Sequence, residues 1–122
     1  MPEPRRLLVA LAVVATAVGV ALFAPTSGAA SAATGDDPQL GEGRALFTGG
    51  ATPPCAICHT LKDAGATGTV GPVLDELRPD EQRVAAAVRG GIGVMPSFSG
   101  SLTDAQITAL ARYVAKASGG AP

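Results

Sequence analysis

Cys55-Ala56-Ile57-Cys58-His59 is the stretch from which the rest of the chain is read. These are the only two cysteines and the only histidine in 122 residues. Two residues between the thiols let one turn of chain present both sulfurs on one side, and the imidazole follows at once. C-x-x-C-H is the attachment pattern of c-type haem: the thiols add to the two vinyl groups of the porphyrin, and the imidazole takes an axial position on the iron. Other chemistries meet obstacles. A thioredoxin-like dithiol belongs in a βαβ pattern, whereas Gly, Thr and Pro precede Cys55 and no strand is evident. A structural zinc site takes four ligands, so two Cys and one His would need a carboxylate. A disulfide across two residues would close only a tiny loop.

Composition points the same way. Hydrophobic residues make up 47%, yet aromatics are only 3% and Trp is absent. A small domain usually leans on aromatic bulk for its core, and a covalently held apolar disc would supply it. Nine Lys and Arg face ten Asp and Glu, for a net charge of −1. That excludes a basic nucleic-acid binder, which needs cations for many phosphates, and an acidic disordered tail. Two cysteines exclude a disulfide-dense scaffold.

Toward the N-terminus, Arg5 and Arg6 precede an uncharged run from Leu7 to Ala24, which Pro25 ends. Small residues follow, including Ala30-Ser31-Ala32. This is the order of a secretory signal peptide, so residues 1–32 are expected to be a signal cleaved after Ala32. The rival reading is an uncleaved membrane anchor through residues 7–24, at the short end of a bilayer span. A lipid anchor on an N-terminal cysteine is excluded, because Cys55 is the first. Either reading places the working domain outside the cytoplasm, in the periplasm or on the exterior of the cell envelope. Residues 33–38 are expected to be a linker and 39–119 the domain. A chain that short benefits from a covalent staple.

The domain is predicted to be all-α, with helices joined by Gly- and Pro-rich loops. Asp37-Pro38 opens a first helix with Leu40, Gly43, Leu46 and Phe47 on one face. Thr48 to Pro54 is predicted as a loop. Val73 to Leu77 predicts a short helix, and Arg78-Pro79-Asp80-Glu81 starts another that carries Val84 and Val88 inward and stops at Gly90-Gly91. In the last helix Thr103 and Gln106 form a capping box, and Leu102 and Ile107 a hydrophobic staple. Ile107, Leu110, Ala111 and Val114 then repeat at helical spacing until Gly119.

A sixth ligand follows by elimination. His59 is already used, and once Met1 leaves with the signal Met95 is the remaining methionine. A thioether is neutral and soft, and raises the reduction potential relative to a second histidine. Pro96 stiffens the chain beside it, and Gly91 and Gly93 are expected to let the backbone pass close to the porphyrin. Lys62 and Lys116 are the alternatives.

Taken together, these residues resemble the class I monohaem c-type cytochromes of the small bacterial, exported type. The resemblance covers roughly residues 40–118. Cys55, Cys58 and His59 match the family's haem motif, and Met95-Pro96 its distal Met-Pro before the last helix. Gly71-Pro72-Val73-Leu74 is similar to the family's Gly-Pro-x-Leu. The resemblance implies that the Pro72 carbonyl accepts a hydrogen bond from His59. It also implies that the first and last helices cross at Gly43 and Phe47 against Leu110 and Tyr113. The stretch from Gly49 to Pro54 is longer than in the shortest relatives. No Trp is present for a haem propionate, which leaves Arg, Tyr113 or backbone donors.

The expected function is one-electron transfer between Fe(III) and Fe(II) in an extracytoplasmic chain, by one covalent haem c with His59 and Met95 as iron ligands. A monomeric carrier and not an enzyme is expected, meeting redox partner proteins at the exposed haem edge near Cys55, Ile57 and the Met95 loop. Two alternatives stand beside it. One is a haem subunit of a periplasmic dehydrogenase or sulfur-oxidising complex. The other is an open-site haem sensor or peroxidase-like protein, if Met95 is labile. If the haem is the core, replacing Cys55 and Cys58 together by Ala leaves the chain largely unfolded. A cooperative thermal transition in that haem-free variant would refute this.

Overall fold

Asp37 caps the first helix: its carboxylate accepts the Gln39 N–H at 3.0 Å, and Pro38 supplies a first helical residue that needs no hydrogen bond. Helix α1 (Pro38–Ala45) follows. A computed structural model describes residues 37–122. The expected signal or anchor at 1–32, and all but the last two residues of the expected linker, lie outside the described residues. The helical course continues past α1 as one wide π turn over Leu46–Gly50, where a loop was predicted from Thr48. The turn keeps Leu46 and Phe47 buried, and the Ala51 N–H closes it on Leu46 O at 3.1 Å.

Two very short strands, β1 (Thr60–Leu61) and β2 (Ala66–Thr67), form an antiparallel hairpin that the sequence pattern did not announce. Two residues per strand leave no room for a period-two pattern to be read. Helix α2 (Leu74–Leu77) is one turn, and α3 (Glu81–Gly90) begins one residue after the Asp80 cap, with Val84 and Val88 buried. Helix α4 (Asp104–Ser118) has the predicted capping box: Thr103 Oγ1 accepts from Gln106 N–H at 3.2 Å, and Gln106 Oε1 from Thr103 N–H at 2.9 Å. Leu102 and Ile107 are both buried beside it. Apart from the hairpin, the described chain is helical in class, as expected.

The crossing of α1 and α4 organises the packing. A Cβ on Gly43 would lie 2.3 Å from Ala109 O and 2.5 Å from Tyr113 Cβ, so only hydrogen fits between these helices. That approach buries Phe47 against Tyr113 edge to face, with ring centroids 6.2 Å apart. The Tyr113 hydroxyl donates to Asp63 Oδ2 at 2.6 Å. On the outside, Arg112 of α4 pairs with Asp37 at 3.3 Å and Glu81 at 3.8 Å, and donates to Gln39, linking the beginnings of α1 and α3. These pairs are partly exposed and add little stability.

Gly43→Ala pits two effects against each other. Better helix propensity is worth about 1 kcal/mol, while overpacking costs about 1–3 kcal/mol. The short approach to backbone leaves no side chain to swing aside, so net destabilisation is expected. Gly41→Ala in the same helix meets nothing within 4 Å and should stabilise by about 0.5–1 kcal/mol. Denaturant midpoints that moved the same way for both would contradict this packing.

Tyr113 carries a pH prediction. Burial, and then its bond to Asp63 and the Asp63 charge, raise its pKa above the usual tyrosine value, with Arg44 working against them. A raised pKa favours the protonated phenol in the folded state. Its stabilisation is therefore complete below the unfolded value of about 10 and is lost as pH climbs beyond it. Tyr113→Phe should cost about 1.5–3 kcal/mol at neutral pH, and the gap to wild type should narrow in strong alkali. A gap that widened above that pH would contradict the assignment.

Candidate functional site

Pro54 leads into a single 3₁₀ turn, Cys55–Ile57. The carbonyl of Cys55 accepts both Cys58 N–H at 3.1 Å and His59 N–H at 2.9 Å, so the five motif residues wind into one tight loop. Cys55 and Cys58 are free thiols, both half-buried. Burial pushes the Cys55 thiol up to about 11, aided by Cys58 and opposed by a backbone hydrogen bond. A redox-active dithiol needs a thiolate at neutral pH and so a lowered pKa, which weighs against thioredoxin-like chemistry. Among the described residues, no group of three or more His, Cys, Asp or Glu could hold a metal ion, which weighs against zinc.

His59 is held from the side. Its Nδ1 lies 3.0 Å from Pro72 O. A carbonyl only accepts, so Nδ1 carries a proton, and the neutral ring then has its lone pair on Nε2. Gly71 makes this possible, because a Cβ there would sit 2.4 Å from the ring carbon between the two nitrogens. Proline at position 72 has no N–H of its own and brings only the carbonyl.

Met95 comes from a different part of the chain, in the loop between α3 and α4. Ile92 and Met95 exchange backbone hydrogen bonds, at 3.2 Å from Ile92 N–H and 2.9 Å from Met95 N–H. Phe98 N–H reaches back to Val88 O at 2.8 Å, and the Ser97 hydroxyl donates to Arg89 O. Gly91 has a positive φ of 71°, and a Cβ on it would lie 2.6 Å from Met95 O. Gly91 therefore serves the packing of the loop on itself. Gly93 also has positive φ, at 57°, but nothing stands within 4 Å of a Cβ there.

Cys55, Cys58, His59, Pro72 and Met95 all line one cavity of about 620 Å³. Its walls are apolar, with Phe47, Leu74, Val84, Val88, Phe98, Leu110 and Val114 among them. A volume in the range of about 300–1,000 Å³ suits a small-molecule or cofactor site. Two thiols on one wall, an imidazole with a free Nε2, a thioether and an apolar lining are a donor set that fits an iron porphyrin. Lys62 and Lys116, the alternative ligands, do not line this cavity.

Arg83 does line it, and it was not singled out from the sequence. Its position three residues after the Asp80 cap gave no signal, because the chain there reads simply as the start of an exposed helix. Tyr113, named with Arg and backbone donors as a propionate partner, is absent from the cavity and already bonded to Asp63.

Comparison with known proteins identifies the family. Residues 38–114 match the family model described as cytochrome c oxidase, cbb3-type, subunit III. The crystal structure of the c-type cytochrome SorU from Sinorhizobium meliloti is similar at 50% identity and a TM-score of 0.66, covering 70% of this chain and 98% of that one. No curated protein matches the chain. The chain therefore belongs to this cytochrome c family, as a small monohaem c-type cytochrome, an electron-transfer haem protein.

Proposed function

We propose that the protein is a one-electron carrier, with a haem c bound through Cys55 and Cys58 and with His59 and Met95 as axial ligands. The observation that carries this reading is that the His59 ring, with Nε2 free, and Met95 line the same apolar cavity. A bound haem supplies reversible exchange of one electron between Fe(III) and Fe(II). The chain's own residues do the rest. Pro72 orients the imidazole and strengthens it as a donor. The clamped Ile92–Met95 turn presents a neutral thioether, which favours Fe(II). The aliphatic and aromatic walls exclude water. Arg83, which takes no part in the ion pairs of the described residues, offers a positive charge for a haem carboxylate. With His59 and Met95 both holding the iron, a bound haem would have no position left for a substrate, which is why the reading is a carrier and not an enzyme.

The docking face is read from the loops around the cavity. Residues 45–61, 64–74 and 90–103 contain no charged side chain. Ile57, Val70, Ile92 and Val94 are exposed there, Val94 at 87%. A redox partner protein would meet an uncharged, largely apolar patch at the haem edge. Localisation outside the cytoplasm follows from haem attachment and from the expected signal at 1–32. No helix among the described residues is long and apolar enough to cross a membrane; the candidate anchor is the apolar run at 7–24.

Two outcomes are expected. The reduced wild-type protein refuses carbon monoxide at neutral pH, while reduced Met95→Ala binds it. Wild-type binding would point instead to an open-site sensor or enzyme. Electron self-exchange between oxidised and reduced protein, followed by NMR line broadening, changes little with salt. Val94→Glu places like charges face to face and slows it at least about tenfold at low ionic strength. An unchanged rate would remove this face from the docking assignment.

A further inference from the structure

Three hydrogen bonds join the chain after Cys58 to the chain after Gly71 in one constant register. Gly71 N–H donates to Cys58 O at 2.7 Å. His59 Nδ1 donates to Pro72 O at 3.0 Å, and Lys62 N–H donates to Asp75 Oδ2 at 3.0 Å. From the second to the third, the chain advances three residues on both sides.

The two sides are not equally well held. The turn at Lys62–Ala64 is anchored from outside: Asp63 takes the Tyr113 hydroxyl on its carboxylate and the Arg44 guanidinium on its carbonyl, at 2.6 and 3.0 Å. The segment carrying Pro72 has less support. It leads into α2, a single turn of four residues, too short to be stable by itself. Leu74 is buried and holds that turn by apolar contact, which is non-directional. Asp75 provides a directional tie from α2 to the anchored turn.

We propose that Asp75 is a positioning residue: through Lys62 N–H it holds the Pro72 carbonyl in hydrogen-bond register with His59, and so sets the donor strength of the imidazole and the reduction potential. This rests on His59 being the iron ligand. A hydrogen bond at Nδ1 makes the imidazole a stronger donor and favours Fe(III). Loosening it should raise the potential.

The test uses the holoprotein with Asp75→Asn and Asp75→Ala. Asn keeps an acceptor oxygen at the same reach and loses the charge; Ala loses both. In each, the midpoint potential and the exchange rate of the His59 Nδ1 proton are measured, the latter by NMR. Asp75→Asn should protect the Nδ1 proton as wild type does. Asp75→Ala should speed its exchange roughly tenfold, as expected for loss of about one hydrogen bond, and should have a higher potential than Asp75→Asn. Equal exchange rates and equal potentials in the two variants would overturn the proposal. If Asp75→Ala yields no holoprotein, Asp75→Glu keeps the charge and displaces the acceptor by one methylene; exchange no faster than in Asp75→Asn would then overturn it. A wild-type spectrum without a His-ligated haem would overturn both this and the carrier reading, whereas an intact spectrum with matched variants removes only the role of Asp75.

Discussion

An apolar cavity of about 620 Å³ in a domain of fewer than one hundred residues is the constraint on which the rest depends. Left to water, those walls forfeit the burial that stabilises a fold, about 25 cal/mol for each Å². The side chains cannot close it, because the domain has no Trp and few aromatics. Phe47 already forms part of the wall, and Tyr113 is spent on the α1–α4 crossing. The close approach at Gly43 draws two helices together on one side, and loops from three parts of the chain wrap the other. What such a scaffold lacks is a large, flat, apolar filler with a covalent hold, and the two half-buried thiols stand on its wall.

The legibility of the fold followed from how local its signals were. The capping box at Thr103 and Gln106, the staple of Leu102 on Ile107 and the Asp37 cap are written in adjacent residues, and α4 and the start of α1 were read closely from them. The π turn at Leu46–Gly50 was not, because Gly49-Gly50 reads as a breaker and a widened turn has no pattern of its own. The hairpin at Thr60–Thr67 was also invisible: its pairing depends on Gly65 in the left-handed region, at φ 64°, and not on alternation.

The site was legible to a different degree at each position. Cys55, Cys58 and His59 form one contiguous motif, and Met95 stood out because no other methionine remained. Pro72 could be named only through a family resemblance, since nothing in its neighbours announces which carbonyl will face an imidazole thirteen residues away. Arg83 and Asp75 were missed for a related reason. Each is an ordinary helix-start residue in sequence, and its importance arises from what the folded chain brings opposite it. The register that aligns Cys58, His59 and Lys62 with Gly71, Pro72 and Asp75 is a property of the closed loop and not of either segment.

The central claim is that one haem, held covalently and ligated by His59 and Met95, fills this cavity. The most direct measurement is an absorption spectrum of the purified, exported protein, first oxidised and then reduced. The account predicts a sharp α band on reduction and, in the oxidised protein, the weak long-wavelength band of a methionine-ligated ferric haem. Haem bands without that methionine signature would contradict the axial assignment, and a protein with no haem bands at all would contradict the whole account.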